Sequence, residues 1–293
     1  MYKAIAANKR NTVMIMTVFV GFVGAIGWLV GAINGQSSIG IGVLVVAGVY
    51  ALIQYVIADK LALVTTGAQE ITKADSPRLW RTVENLSITT GMPMPKVCLI
   101  DDPSPNAFAT GRDPEHAVVA ATTGLLEIMD NRELTAVIAH EMGHVRNYDI
   151  RVSMIAFGLV SAIGLLSDMA FRLMWFGGDD REDNANSPLF YVIGFVLILI
   201  SPLIAAMIQM AISRQREYLA DATGVFSTRD PEGLASALEK LMEYGQPMRR
   251  QSTSTAHLFF SNPLKPGLIA QLFSTHPPLE ARIARLKKDM HKW

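Results

Sequence analysis

Two apolar runs near the N-terminus, free of charge, constrain this 293-residue chain more than any other feature. Val13–Ile33 carries no charged side chain and is long enough to cross a bilayer, which takes about 20 apolar residues. Ile39–Ile57 is apolar except for Gln54, and only Asn34-Gly35-Gln36-Ser37-Ser38 separates the two. Lipid offers no hydrogen-bond partners, so both runs read as helices, a hairpin of spans. The first run is too long for the core of a secretory signal. No small-x-small cleavage site follows it, so it reads as a retained anchor.

Two more spans are expected further on. Val152–Phe176 is apolar but interrupted, its uncharged part ending at Ser167. Asp168 and Arg172 follow as an i,i+4 pair, suited to the far interface or a water-filled cavity. A polar loop at 177–187 leads to Leu189–Ile212, a strong span in which Pro202 predicts a kink. Lys and Arg then set the orientation, because they concentrate in cytoplasmic loops. Lys3, Lys9 and Arg10 precede the first span, the 34–38 link has none, and the 177–187 loop has only Arg181. Arg146 and Arg151 precede the third span, and Arg214 and Arg216 follow the fourth. One multi-pass topology satisfies all four, with both termini cytoplasmic.

Half the residues are hydrophobic and the net charge is zero, which fits a lipid bilayer and gives no case for nucleic acid. The single cysteine, Cys98, permits neither an internal disulfide nor a thiolate zinc site, and reads as a small buried hydrophobe.

The polar part begins after a connector at Asp59–Thr72. Ser76-Pro77 opens a helix with Leu79, Val83 and Leu86 on one face and Gly91 at its end. Val97–Ile100, Asn106–Gly111 and His116–Thr122 read as strands, the last two joined by a turn at 112–115. Asp130 and Glu133 form an Asp version of the capping box and open a helix running to about Tyr148. Further helices open at Asp230-Pro231, with Leu234, Leu238 and Leu241 inward, and at Pro277-Pro278, with Leu279, Ile283 and Leu286 inward. Met248–Ala256 reads as a loop. The expected fold is mainly α with a small antiparallel sheet, plus transmembrane helices.

The Asp130 helix carries His140-Glu141-Met142-Gly143-His144, an H-E-x-x-H pentad. Composition alone would produce one about 0.005 times per chain. Residues i and i+4 share a helix face, so both imidazoles can reach one metal ion, and Glu141 can hold and deprotonate a water. The polar flanks of this helix argue against its lying in lipid. A catalytic zinc takes three protein ligands and keeps one open position. Glu217, just after the fourth span, is the best third ligand, and Asp221 one turn on can accept a ring N–H from a ligating histidine. Pairing of both with Arg214 and Arg216 is the plainer alternative. His276 and Arg282 are candidates for stabilising charge that develops on the substrate carbonyl. Asn106, Ala107, Phe108 and Ala109 offer an edge to which an extended peptide could add. Asp149, His116, His257 and His291 read as non-ligands, Asp149 as an anchor at the end of the metal helix.

These motifs together resemble HtpX, the bacterial membrane-bound zinc peptidases, in the same broad group as the CAAX prenyl proteases. The resemblance rests on Asn106-Ala107-Phe108-Ala109-Thr110-Gly111, the pentad with Asn147 and Asp149, Ser213-Arg214-Gln215-Arg216-Glu217-Tyr218-Leu219-Ala220-Asp221 and Thr275-His276-Pro277-Pro278. It implies a zincin-like α+β domain with one zinc on His140, His144 and Glu217. Glu141 would be the base, Asp221 a hydrogen-bond partner of a ligand, and Asn106–Ala109 the substrate edge. It also implies cleavage of misfolded or damaged membrane proteins at the cytoplasmic surface, alongside other quality-control proteases. The expected organisation is a membrane hairpin at 1–58, peptidase parts at 59–151 and 213–293, and an inserted hairpin at 152–212. A prenyl-protease-like peptidase, a non-cleaving peptide binder and a transporter with a regulatory zinc are the alternatives.

Overall fold

The computed structural model describes residues 2–33, 35–156, 158–159, 162, 214–250, 255–262 and 277–290. The chain divides into two compact units. One holds Met1–Asn11, Val56–Met154 and Ile212–Trp293; the other holds Thr12–Tyr55 and Ile155–Ala211.

The second unit takes its described part mostly from α1 (Tyr2–Ile33) and α2 (Ser37–Thr66). Each contains a stretch long and apolar enough to cross a membrane, Ile5–Trp28 and Gly40–Ile57. Both leave large apolar side chains exposed, among them Trp28, Val46 and Leu52, as lipid-facing helices do. The helices approach closely at Gly27, where a Cβ would lie 2.4 Å from that of Val43. Gln54 donates to the Tyr50 hydroxyl (2.6 Å), which donates to the Gly158 carbonyl (3.2 Å), so the lone amide of the second run is held within the unit. The expected third and fourth spans fall outside the described residues except at the start of the third, where 152–156 is helical. Asp168, Arg172 and the 177–187 loop also lie outside them.

In the first unit, α3 (Pro77–Thr90) follows the expected pattern: Leu79, Val83 and Leu86 are buried, and Gly91 closes the helix in the left-handed conformation (φ 66°). Ser76 precedes the helix without a side-chain capping bond. Four strands then form one sheet in the order β1-β2-β4-β3: β1 (Gln69–Glu70), β2 (Lys96–Ile100), β3 (Ala107–Gly111) and β4 (Ala117–Thr122). The expected antiparallel sheet is corrected here. β4 pairs parallel with β2, while β1–β2 and β3–β4 are antiparallel. The β3–β4 hairpin inserts its second strand beside β2 and leaves β3 at the edge. Apolar alternation marks strands but not their neighbours, so this order is invisible in the sequence.

After α4 (Thr123–Ile128), α5 (Asn131–Arg146) opens on a complete capping box. Asp130 accepts from the Glu133 amide, and Glu133 accepts from the Asp130 amide. This helix packs between the sheet and α6 (Arg214–Thr228), with α7 (Pro231–Tyr244) beside it. Leu234, Leu238 and Leu241 of α7 and Ile283 and Leu286 of α8 (Leu279–Lys288) complete the core. Gly224 lets α6 lie directly on the pentad: a Cβ there would sit 3.0 Å from the His140 amide nitrogen and 3.1 Å from its Cα. That close approach sets the distance between the histidines and the carboxylates of α6.

Candidate metal centre

His140 and His144 lie one turn apart on α5, and Glu217 faces them from α6. His140 Nε2 and His144 Nε2 are 3.1 Å apart, and the Glu217 carboxylate oxygens lie 3.7 and 3.5 Å from them. Donors about 2 Å from a tetrahedral zinc stand roughly 3.3 Å from one another, so these atoms could hold one ion.

Hydrogen bonds fix which nitrogens face inward. His140 Nδ1 donates to Asp221 (2.8 Å), and His144 Nδ1 donates to Asp149 (3.1 Å). Both Nε2 atoms therefore turn their lone pairs into the same gap, which needs a positive charge, a shared proton or a metal ion. The surrounding charges point the same way. Glu141, Asp149, Glu217 and Asp221 are buried acids; among the described residues, Arg216 and Arg282 are the guanidinium groups packed against them. Carboxylates thus outnumber guanidinium groups around the gap, an environment suited to a cation.

Burial, with Arg282 beside it, pushes His140 down to about 4. Burial also disfavours a charged His144, yet Glu217 and Asp149 outweigh it and lift that imidazole to about 9. Burial raises Glu141 to about 7; Glu217 adds to the rise, while His144, Arg282 and the Ala109 amide oppose it. Asp221 is held below the usual carboxylate range by Arg282 and His140 against its burial.

The structure gives Arg282 partners among the residues of the site. It is fully buried and grips Asp221 with two nitrogens, Nη2 at 2.6 Å and Nε at 3.0 Å, while Phe260 covers its guanidinium at 4.6 Å. This geometry suits holding Asp221 against His140. His276 lies outside the described residues, as does His291. Asp113, Glu115 and His116 also lie close together, but Asp113 caps its own turn by accepting from the His116 amide and ring.

The edge strand meets the site, and part of it is already paired. Phe260 donates its amide to the Ala107 carbonyl (2.8 Å), and Phe108 and Phe259 form an antiparallel bridge. The Asn106 side chain bonds both the carbonyl (2.8 Å) and the amide (3.0 Å) of Ser261. Of the four residues expected to bind substrate, Asn106, Ala107 and Phe108 thus engage the chain's own 259–261 segment. Only Ala109 lines the cavity with His140, Glu141, His144 and Glu217. That cavity measures about 20 Å³, room for one water. Phe260 also lines it and lies edge-on to His140, ring centroids 4.8 Å apart.

The sequence reading did not foresee the bond from Asp149 to His144. That bond depends on the turn after α5, where Tyr148 has φ 60°, rare for a residue with a Cβ, before the chain becomes helical again at Asp149. Nothing local pointed to the 259–261 segment.

Residues 73–290 match Peptidase family M48. Among curated proteins, a "Protease HtpX homolog" of Tropheryma whipplei (strain Twist) is 56% identical over 289 residues, covering 98% of each chain. A "Protease HtpX homolog" of Ligilactobacillus salivarius (strain UCC118) is 46% identical over 98% of this chain and 99% of that one. Among solved structures, the crystal structure of S. mikatae Ste24p superposes with a TM-score of 0.52 at 19% identity, covering 98% of this chain and 67% of that one. At that identity the likeness concerns the fold alone.

Proposed function

The chain belongs to peptidase family M48, among its HtpX-like membrane-associated metallopeptidases, and from that premise we propose a zinc endopeptidase that cuts misfolded or damaged membrane proteins at the cytoplasmic membrane surface. The observation that carries the proposal is the convergence of His140, His144 and Glu217 with Glu141 on one buried cavity. His140, His144 and Glu217 would hold the ion, which supplies a Lewis acid and makes water acidic enough to ionise near neutral pH.

The chain's own groups do the rest. Glu141, beside the two histidines in the cavity, takes the proton of the attacking water and returns it to the leaving amine. Asp221 and Asp149 hold the two imidazoles in the tautomers that present Nε2. Phe259 and Phe260 shield the cavity from bulk water. His276 remains the candidate for stabilising charge on the carbonyl oxygen.

In this proposal a zincin-like peptidase is formed by 59–151 and 213–293, with membrane hairpins at 1–58 and 152–212. Both termini and the site face the cytoplasm, where exposed segments of damaged membrane proteins would reach it. The Lys and Arg distribution supports that orientation. Substrate capture tests the proposal. A Glu141→Gln chain in membranes is expected to accumulate bound membrane proteins that the active chain does not retain. Recovery of soluble proteins alone would contradict the substrate class.

A further inference from the structure

Each imidazole of the site leans on a carboxylate, and each carboxylate has its own clamp. Asp221, behind His140, is gripped by Arg282 of α8. Asp149, behind His144, is gripped from the other end of the chain. Asn8, in the second turn of α1, donates Nδ2–H to Asp149 Oδ1 at 2.6 Å and to the Asn147 carbonyl at 2.9 Å. Both acceptors are oxygens, so the amide orientation is dictated by its partners. The other carboxylate oxygen, Oδ2, is left to receive His144 Nδ1 at 3.1 Å.

We propose that Asn8 is a positioning residue of the metal site, holding the Asp149 carboxylate so that His144 presents Nε2 to the ion. The N-terminal segment is then a working part of the active site. The proposal rests on the reading of His140, His144 and Glu217 as metal ligands.

The surroundings favour this role. Asn8 is buried, 4% exposed, at a helix end where neighbouring Lys9 and Arg10 reach out. Lys9 Nζ lies 4.9 Å from the Tyr148 ring centroid, and Arg151 lies 5.0 Å from the same ring, so the turn carrying Asp149 is held between α1 and the residues after α5. Asn8 supplies the closest donor that the structure gives the Asp149 carboxylate, at 2.6 Å against 3.1 Å for His144. The guanidinium of Arg216 stands farther off, at 3.8 Å from Oδ1. Without the amide, the carboxylate is free to turn toward Arg216 and release the imidazole. Partners that orient metal-binding histidines are typically worth about 10–100-fold in metal affinity.

A plain docking role, through the Asn147 carbonyl, is the competing account. A double-mutant cycle separates the two. The full-length chain, carrying Glu141→Gln throughout to prevent self-digestion, is purified in detergent, and its zinc affinity is measured by competition with a chromophoric chelator. Asn8→Ala is expected to weaken zinc binding roughly tenfold. In an Asp149→Ala background the same change is expected to have no further effect, because the group it acts through is gone. Asn8→Asp keeps the shape but loses both donated bonds, and should weaken zinc at least as much. The melting temperature of the metal-free chains reports docking separately. Unchanged zinc affinity in Asn8→Ala and Asn8→Asp would overturn the proposal, as would an equal loss with and without Asp149. A parent chain that binds no zinc would instead defeat the metal reading, a result distinct from either.

Discussion

His140 and His144 point their Nε2 atoms at each other across 3.1 Å while each donates its Nδ1 proton to a carboxylate. Two lone pairs so placed repel unless a positive charge lies between them, and Glu217 brings the nearest compensating carboxylate. Glu217→Ala is therefore expected to lose bound zinc, read as metal per chain by elemental analysis. Full zinc content in this variant would place the third ligand elsewhere.

Arg282 and Asp221 form a fully desolvated pair. Removing one partner of such a pair leaves an unpaired buried charge and typically costs about 3–5 kcal/mol. Arg282→Met should lower stability by that order in denaturant unfolding, and the added change Asp221→Asn should recover part of it. Arg282→Lys keeps the charge but not the two-pronged grip, so it should fall between.

Gly224 sets the spacing between α6 and the pentad helix. A methyl group there meets His140 backbone at 3.0–3.1 Å, which no rotamer change can relieve. Gly224→Ala should destabilise by about 1–3 kcal/mol. It should also weaken zinc binding, because the helices carrying Glu217 and the histidines must separate. Equilibrium unfolding and metal titration of the same sample check both effects.

The Glu133 carboxylate gives stability a pH dependence away from the metal. Burial would raise its pKa from 4.5, but Lys240, Ser236 and the Asp130 amide outweigh it and hold it lower. The unfolded chain then binds the proton more tightly than the folded one. The contribution is fully present above the ordinary value and is lost as pH falls through the folded one. Melting temperatures of wild type and Glu133→Gln should differ by a constant amount at pH 6–8, and the gap should close below about pH 4.5.

Features set by near neighbours in the chain were legible in the sequence. The pentad, its capping box, the ends of α3 and the buried faces of α7 and α8 all follow from spacings of a few residues. Glu217 could be nominated because the expected fourth span returns the chain on the pentad's side, and the family resemblance pointed to the same residue. What escaped was set by contacts far apart in sequence. Asn8 reaches Asp149 across 141 positions, and Ser261 reaches Asn106 across 155. No periodicity announces such pairs. Arg282 illustrates a subtler case, because its full burial and its grip on Asp221 are set by packing that local spacing does not show. The parallel β2–β4 pairing escaped for a related reason, since strand order is decided by which edge the hairpin offers.

The central claim is that Glu141 moves the proton in a reaction that depends on a metal held by its neighbours. The most direct measurement is cleavage of casein by the purified chain before chelation, after chelation and after zinc is restored, beside a Glu141→Ala chain of equal zinc content. The predicted result is activity lost with the metal, regained with zinc, and absent in Glu141→Ala. Cleavage near the wild-type rate by zinc-loaded Glu141→Ala, or cleavage indifferent to chelation, would contradict the account.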